Sequence, residues 1–264
     1  MRRILLLAAT AFTVISASAA ADAILFPKPL HLTREIADPV SGRTAHVEQY
    51  CLANRVVAVA GSRTVIADYD RSELTEIDRE HGTYSVTPFA AVASARPRRK
   101  ALARVTANAA AAAIAGPVVA NKGTDRRAGR NVDLVAADDA AHALHAELAL
   151  DQSATLSRDA FDVLAGAAYP NEGDASTDLL RSASRRAVGA AAAETYGLPI
   201  EQLLRWDVGG KTLTSTNRVT RLSDDVAPPD LLAIPPGARR VDSHIVVTAR
   251  ESEQLDALPG KPRP

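Results

Sequence analysis

Arg55-Val56-Val57-Ala58-Val59-Ala60, Gly61-Ser62, Arg63-Thr64-Val65-Ile66-Ala67-Asp68, then Asp70-Arg71-Ser72 before Glu73-Leu74-Thr75-Glu76-Ile77-Asp78, and His81-Gly82 before Thr83-Tyr84-Ser85-Val86: in this stretch β-prone segments alternate with turn residues. The punctuation has a mechanism. Glycine supplies positive φ, and short Asp and Ser side chains bond back to their own backbone. A change from strand to turn roughly every eight residues is the spacing of an antiparallel meander. Within one segment Thr64, Ile66 and Asp68 alternate with Val65, Ala67 and Tyr69. Successive strand residues point to opposite faces, so one face of the sheet is buried and the other is wet or faces a cavity.

Working outward, the same reading places strands at 30–36 and 43–51, separated by Asp38-Pro39 and Ser41-Gly42. Further on it places strands at 131–136 and 142–150. Ser157 then caps a helix running through Phe161, Leu164 and Ala168, and a second helix spans 176–196, begun by Ser176 or Thr177 and stopped by Gly197-Leu198-Pro199. Strands at 200–208 and 211–222 follow, joined through Gly209-Gly210, a strong hairpin signal. The fold class expected is α+β: a strongly curved antiparallel sheet, an incomplete β-barrel, packed over two helices.

The region 89–130 differs in kind. Arg96, Arg98, Arg99 and Lys100 precede an alanine-rich tract at 107–115, and between 96 and 130 nine Arg or Lys stand against one acid, Asp125, a local net of +8 (nine minus one). Overall charge is balanced, so the rest of the chain is correspondingly acidic. The region reads as a basic excursion, in part helical because alanine favours helix, or as a solvated linker. Its functional reading is contact with an anionic surface through Arg96, Arg98, Arg99 and Lys100.

Residues 1–22 have the parts of a cleavable export signal: Arg2-Arg3, an apolar run from Ile4 to Ile15, and small residues around Ala19-Ala20-Ala21. The run is short of the roughly 20 apolar residues that span a bilayer. The expected location is therefore periplasmic or secreted. Residues 23–250 are expected to form one domain, and 251–264, ending in Pro-Gly-Lys-Pro-Arg-Pro, a disordered tail. Cys51 is the sole cysteine and cannot form an internal disulfide, so stability must come from the core. That core is aliphatic, since 47% of residues are hydrophobic but only 4% aromatic. So few rings argue against base-stacking surfaces, and export argues against a nucleic-acid partner.

Two blocks carry a family resemblance. One is Asn54-Arg55-Val56-Val57 leading into Thr64-Val65-Ile66-Ala67-Asp68-Tyr69-Asp70 and Leu74-Thr75-Glu76-Ile77-Asp78, closed by Thr83-Tyr84-Ser85. The other is Arg218-Val219-Thr220-Arg221-Leu222, then Pro228-Pro229 and Leu231-Leu232-Ala233-Ile234-Pro235-Pro236-Gly237-Ala238-Arg239-Arg240. In this order they resemble bacterial exported proteins with the fold of the lipoprotein-localisation carriers and related periplasmic lipid binders. The resemblance implies an incomplete barrel over helices with an apolar cavity between them, and a lipid or acyl chain as ligand. Fold alone does not assign function.

The catalytic candidates are weak. His142 and His145, with Asp138, Asp139 and Glu147, share a face only in a helix; on the expected strand they diverge, and no metal is assigned. Cys51 and His46 likewise fall on opposite strand faces. No Gly-x-Ser-x-Gly elbow accompanies the serines, and Gly209-Gly210-Lys211 lacks the spacing of a phosphate loop. The sequence thus points to a non-catalytic, cofactor-free carrier or binding module for an apolar ligand, with an envelope structural or interaction protein as the alternative and a hydrolase third.

Overall fold

The computed structural model describes residues 24–39, 42–95, 116–166, 174–186, 194–208 and 210–247. The export signal at 1–22, the cluster Arg96, Arg98, Arg99 and Lys100, the alanine-rich tract and the tail at 251–264 lie outside the described residues.

The meander forms as its punctuation dictates. Strands β1 (Phe26–Ala37), β2 (Thr44–Ala53), β3 (Arg55–Ala60), β4 (Arg63–Asp68), β5 (Glu73–Asp78) and β6 (Thr83–Pro88) lead into helix α1 (Phe89–Ala95). Then come β7 (Val118–Arg127), β8 (Arg130–Asp139) and β9 (Leu144–Leu156), helices α2 (Arg158–Gly166) and α3 (Asp174–Ser184), and the two-residue β10 (Arg185–Arg186). The chain continues through β11 (Thr195–Val208), β12 (Lys211–Ser223), the single turn α4 (Pro229–Leu232) and β13 (Arg239–Arg240). Among the described residues these strands make one curved sheet in the order β13-β6-β5-β4-β3-β2-β1-β12-β11-β9-β8-β7, with β10 beside β11. Its ends do not pair, so the barrel stays open.

The N-terminal strand sits in the middle. His31 faces Tyr50 of β2 on one side and Ser223 of β12 on the other, and a register shift between Thr33 and Arg34 bends β1 at that seam. At the β11–β12 hairpin Val208 pairs with Lys211, and Gly210 takes φ +78°, which a side chain would resist. Gly209 lies outside the described residues.

Several expectations are corrected. The second helix ends at Ser184, not Tyr196, and residues from Thr195 onward are strand. Gly197 is therefore not a helix stop. A Cβ there would meet Leu150 Cβ at 3.0 Å, so glycine lets β11 cross β9 closely. Pro199, with no N–H for the ladder, stands at the register shift between Pro199 and Glu201. The supposed excursion contains an ordinary strand, β7, made by a hairpin to β8 through Ala128 (φ 46°) and Gly129 (φ 76°). His142 belongs to the turn before β9 rather than to the strand. Helical segments number more than two among the described residues, although α2 and α3 are the ones packed on β8, β9 and β11.

Ser157 does cap α2: its Oγ accepts the Ala160 N–H at 3.2 Å. From that helix Phe161 and Leu164, from α3 Leu179 and Leu180, and from β11 Leu198 and Ile200 are each at most 1% exposed and join one aliphatic core with Leu32, Val47 and Leu148. Among the described residues they pack together between the sheet and the helices, where the resemblance implies an apolar cavity. The opposite face of the first half of the sheet is covered as well: Val57, Ile66 and Ile77 pack with Tyr50, Val59 and Tyr84 beneath Ala227. Arg79 holds that covering segment by donating to the Asp230 carbonyl at 2.6 Å.

Candidate ligand groove

Glu76 on β5 ties the end of the described chain to the sheet. Its carboxylate accepts the Ser85 hydroxyl at 3.0 Å, the Ser243 hydroxyl, and the Ile245 N–H at 3.2 Å. Ser243 Oγ in turn accepts the Val246 N–H at 3.2 Å, which caps the helical turn at 244–247. Between this turn and strands β4 to β6 lies a groove of about 190 Å³, with most of its lining apolar. Val65, Val241 and Ile245 supply apolar side chains to it, and Ile77 and Tyr84, whose side chains belong to the opposite face, border it; Arg63, Glu76, Asp78, Asp242 and His244 stand at its polar part.

Asp78 is the paired carboxylate of this lining. Asp78 accepts Arg63 at 3.3 Å and His81 at 2.9 Å. Burial alone would raise the Asp78 carboxyl, but hydrogen bonds from the His81 backbone and ring, with the Arg63 charge, hold it below the usual carboxylate value. The lining carries three carboxylates, Glu76, Asp78 and Asp242, against one guanidinium, Arg63, so beside its apolar surface the groove has an acidic side.

A second concavity, about 300 Å³ and polar, is lined by Arg158, Asp178, Arg181, Ser182, Arg185, Glu194 and Tyr196. Arg181 makes a fork to Asp162 at 2.8 and 3.0 Å, and that bond raises its pKa against the opposing effect of burial. Arg185 pairs with Glu194, which also accepts the Tyr196 hydroxyl at 2.9 Å. The fork joins α3 to α2, the Arg185 pair joins β10 to the residue before β11, and together they account for most of the charge in that concavity.

At the central seam the fold assembles a trio that sequence reading missed. Ser223 Oγ lies 3.0 Å and Asp225 Oδ2 3.3 Å from His31 Nδ1, Ser223 donates to Asp225 at 2.7 Å, and the His31 ring stacks on Tyr50 at 4.1 Å. The residues lie 192 and 194 positions apart, so no local motif could reveal them. The arrangement does not make a relay. Serine and aspartate share one ring nitrogen, whereas base catalysis requires them on opposite nitrogens.

The weighed candidates resolve plainly. His145 lies between Asp138 at 2.7 Å and Glu147 at 3.1 Å, while His142 pairs with Asp139 at 2.7 Å. The two histidines keep separate partners, and no group of three potential metal ligands occurs among the described residues. His46 is 72% exposed in its side chain and Cys51 1% exposed as a residue, so they do occupy opposite faces of β2. Burial pushes the Cys51 thiol up to about 12, which leaves it inert at neutral pH.

No known family profile matches the chain, and no curated protein matches it. Similar solved structures include an uncharacterized conserved protein from Thermus thermophilus, 11% identical over 82% of this chain and 91% of that one, with a TM-score of 0.42. The MucA/MucB complex of Pseudomonas aeruginosa is similar at 13% identity over 78% of this chain and 55% of that one, TM-score 0.37. A putative outer membrane lipoprotein-sorting protein domain from Vibrio parahaemolyticus is similar at 7% identity over 77% and 89%, TM-score 0.30. The chain thus spans little more than half of the second of these. Likenesses this distant bear on neither ligand nor activity.

Proposed function

We propose that the chain is an exported, non-catalytic binding module that holds an apolar ligand, such as an acyl chain, in the groove between β4 to β6 and residues 241–245. The observation that carries this reading is the groove's mostly apolar lining, set on strands whose other positions are buried. Ligand sites are commonly concave and apolar with a few polar groups at one end, here Arg63, Asp78 and His244. Each methylene buried there contributes roughly 0.8 kcal/mol before ordering costs.

Val65→Trp would fill the groove. Binding of a neutral fluorescent fatty-acyl probe, measured by titration, is expected to be lost in this variant while the fold, followed by circular dichroism, persists. Undiminished binding in a folded V65W protein would move the ligand elsewhere and overturn the reading. The expected location rests on the export signal at 1–22: N-terminal sequencing of the protein recovered from outside the cytoplasm should start between positions 20 and 24. An intact Met1 there would refute it.

A second reading, an envelope interaction protein, is favoured by the close packing of the described residues between sheet and helices, since a lipid carrier needs open space there.

A further inference from the structure

Strand β7 ends the sheet. One side of it is bonded to β8 from Val118↔Asp138 to Arg127↔Arg130, and no described strand pairs with the other side. None of its ten residues is buried. An open edge of this kind presents unpaired N–H and C=O groups to any extended chain.

The edge is not uniform. A bulge between Asn121 and Gly123, where Gly123 takes φ +105° and donates its N–H to Asn121 Oδ1 at 2.7 Å, divides it into two short runs. Bulges and lysines are devices that restrain indiscriminate edge pairing. Here they leave residues 118–121 open, with Val118 67% and Val119 45% exposed on the two faces of the strand. From the bulge residue Lys122 onward the strand carries three cations, Lys122, Arg126 and Arg127, and one acid, Asp125. Arg127 is matched by Asp125 and Glu201, but Lys122 and Arg126 have no carboxylate within salt-bridge distance among the described residues.

We propose that β7 is an acceptor edge for an extended segment of a partner protein, in which acidic residues precede a pair of aliphatic ones. Added antiparallel, such a segment sets its acids against Lys122 and Arg126 and its aliphatic side chains beside Val118 and Val119. The backbone supplies pairing, and the charges choose the direction and exclude basic strands. Residues 118–119 and 122–126 thereby act as two halves of one recognition code. This inference is independent of the apolar groove.

The test uses the full chain with two synthetic eight-residue peptides, one with alternating acids followed by alternating valines, the other with lysines in place of the acids. The acidic peptide is expected to bind and to slow hydrogen exchange in the segment containing β7, with the groove probe unaffected. K122E/R126E should bind the acidic peptide about tenfold less tightly at low salt and prefer the lysine peptide, because two exposed ion pairs change sign. Equal affinity of wild type and K122E/R126E for the acidic peptide would overturn the proposal, as would protection anywhere but β7. Protection of β7 by self-association without peptide, seen as a dimer by sedimentation, would assign the edge to a second copy and equally overturn it.

Discussion

His145 illustrates how a single side chain here couples to pH. The Asp138 bond raises its pKa above the ordinary 6.5, partial burial opposes this, and Glu147 adds to the rise. The folded state therefore holds the proton more tightly than the unfolded chain. That stabilisation is fully present below about 6.5, the unfolded value, and is lost as pH rises through the raised folded value. Urea midpoints should fall over that window in the wild type, with a flatter profile in His145→Gln. Identical profiles would show that the pairs to Asp138 and Glu147 contribute nothing. The residue scale is also where sequence reading reached least far. The expected strand placement of His142 did not hold, since it lies in the turn before β9, and the meeting of His31 with Ser223 and Asp225 depends on register between strands almost two hundred residues apart.

Among the elements, the short turn at 244–247 depends on one carboxylate. Glu76→Ala would leave the Ser85 and Ser243 hydroxyls and the Ile245 N–H without their acceptor, which costs about 1–3 kcal/mol for each donor left buried and unmatched. Faster hydrogen exchange at residues 241–247 and a lower melting temperature are expected, with Glu76→Gln intermediate because it keeps one acceptor oxygen. If exchange at 241–247 were unchanged in Glu76→Ala, the turn would be held by its apolar contacts instead. Element by element, the meander was legible because its turns carry local chemistry: β3, β4 and β5 match the expected bounds residue for residue. The helix expected at 176–196 misled for a physical reason. Gly197-Leu198-Pro199 has the composition of a helix stop, and only the approach of Leu150 reveals that the glycine serves strand crossing. Strand β7 was hidden by its polarity: a solvent-exposed edge strand has no apolar alternation to betray it.

At the scale of the whole molecule the charge is segregated, with the surplus of cations between positions 96 and 130 offset by acids elsewhere. The proposed contact of Arg96, Arg98, Arg99 and Lys100 with an anionic surface predicts that replacing all four by glutamine weakens association with phosphatidylglycerol vesicles at low salt. The difference should shrink at high salt, where a Debye length of about 3 Å at 1 M screens it. Equal association of both proteins at every salt concentration would leave the cluster as a solvated stretch.

The central position of β1 has a temporal consequence. Its hydrogen-bonding partners on one side, in β2, follow within a few residues, but those on the other side belong to β12, whose Ser223 lies 192 residues beyond His31. Apart from the two-residue β13 beside β6, each half of the sheet is assembled from strands consecutive or nearly so in the chain, whereas the seam joining the halves closes the longest loop among the described strands. Closing such a loop costs entropy before any contact offsets it, which makes it a slow event. In a chain synthesised N-terminus first, the first half can pair internally as soon as β6 is made, while the open side of β1 waits for β12, nearly the last strand, before the middle of the sheet is complete.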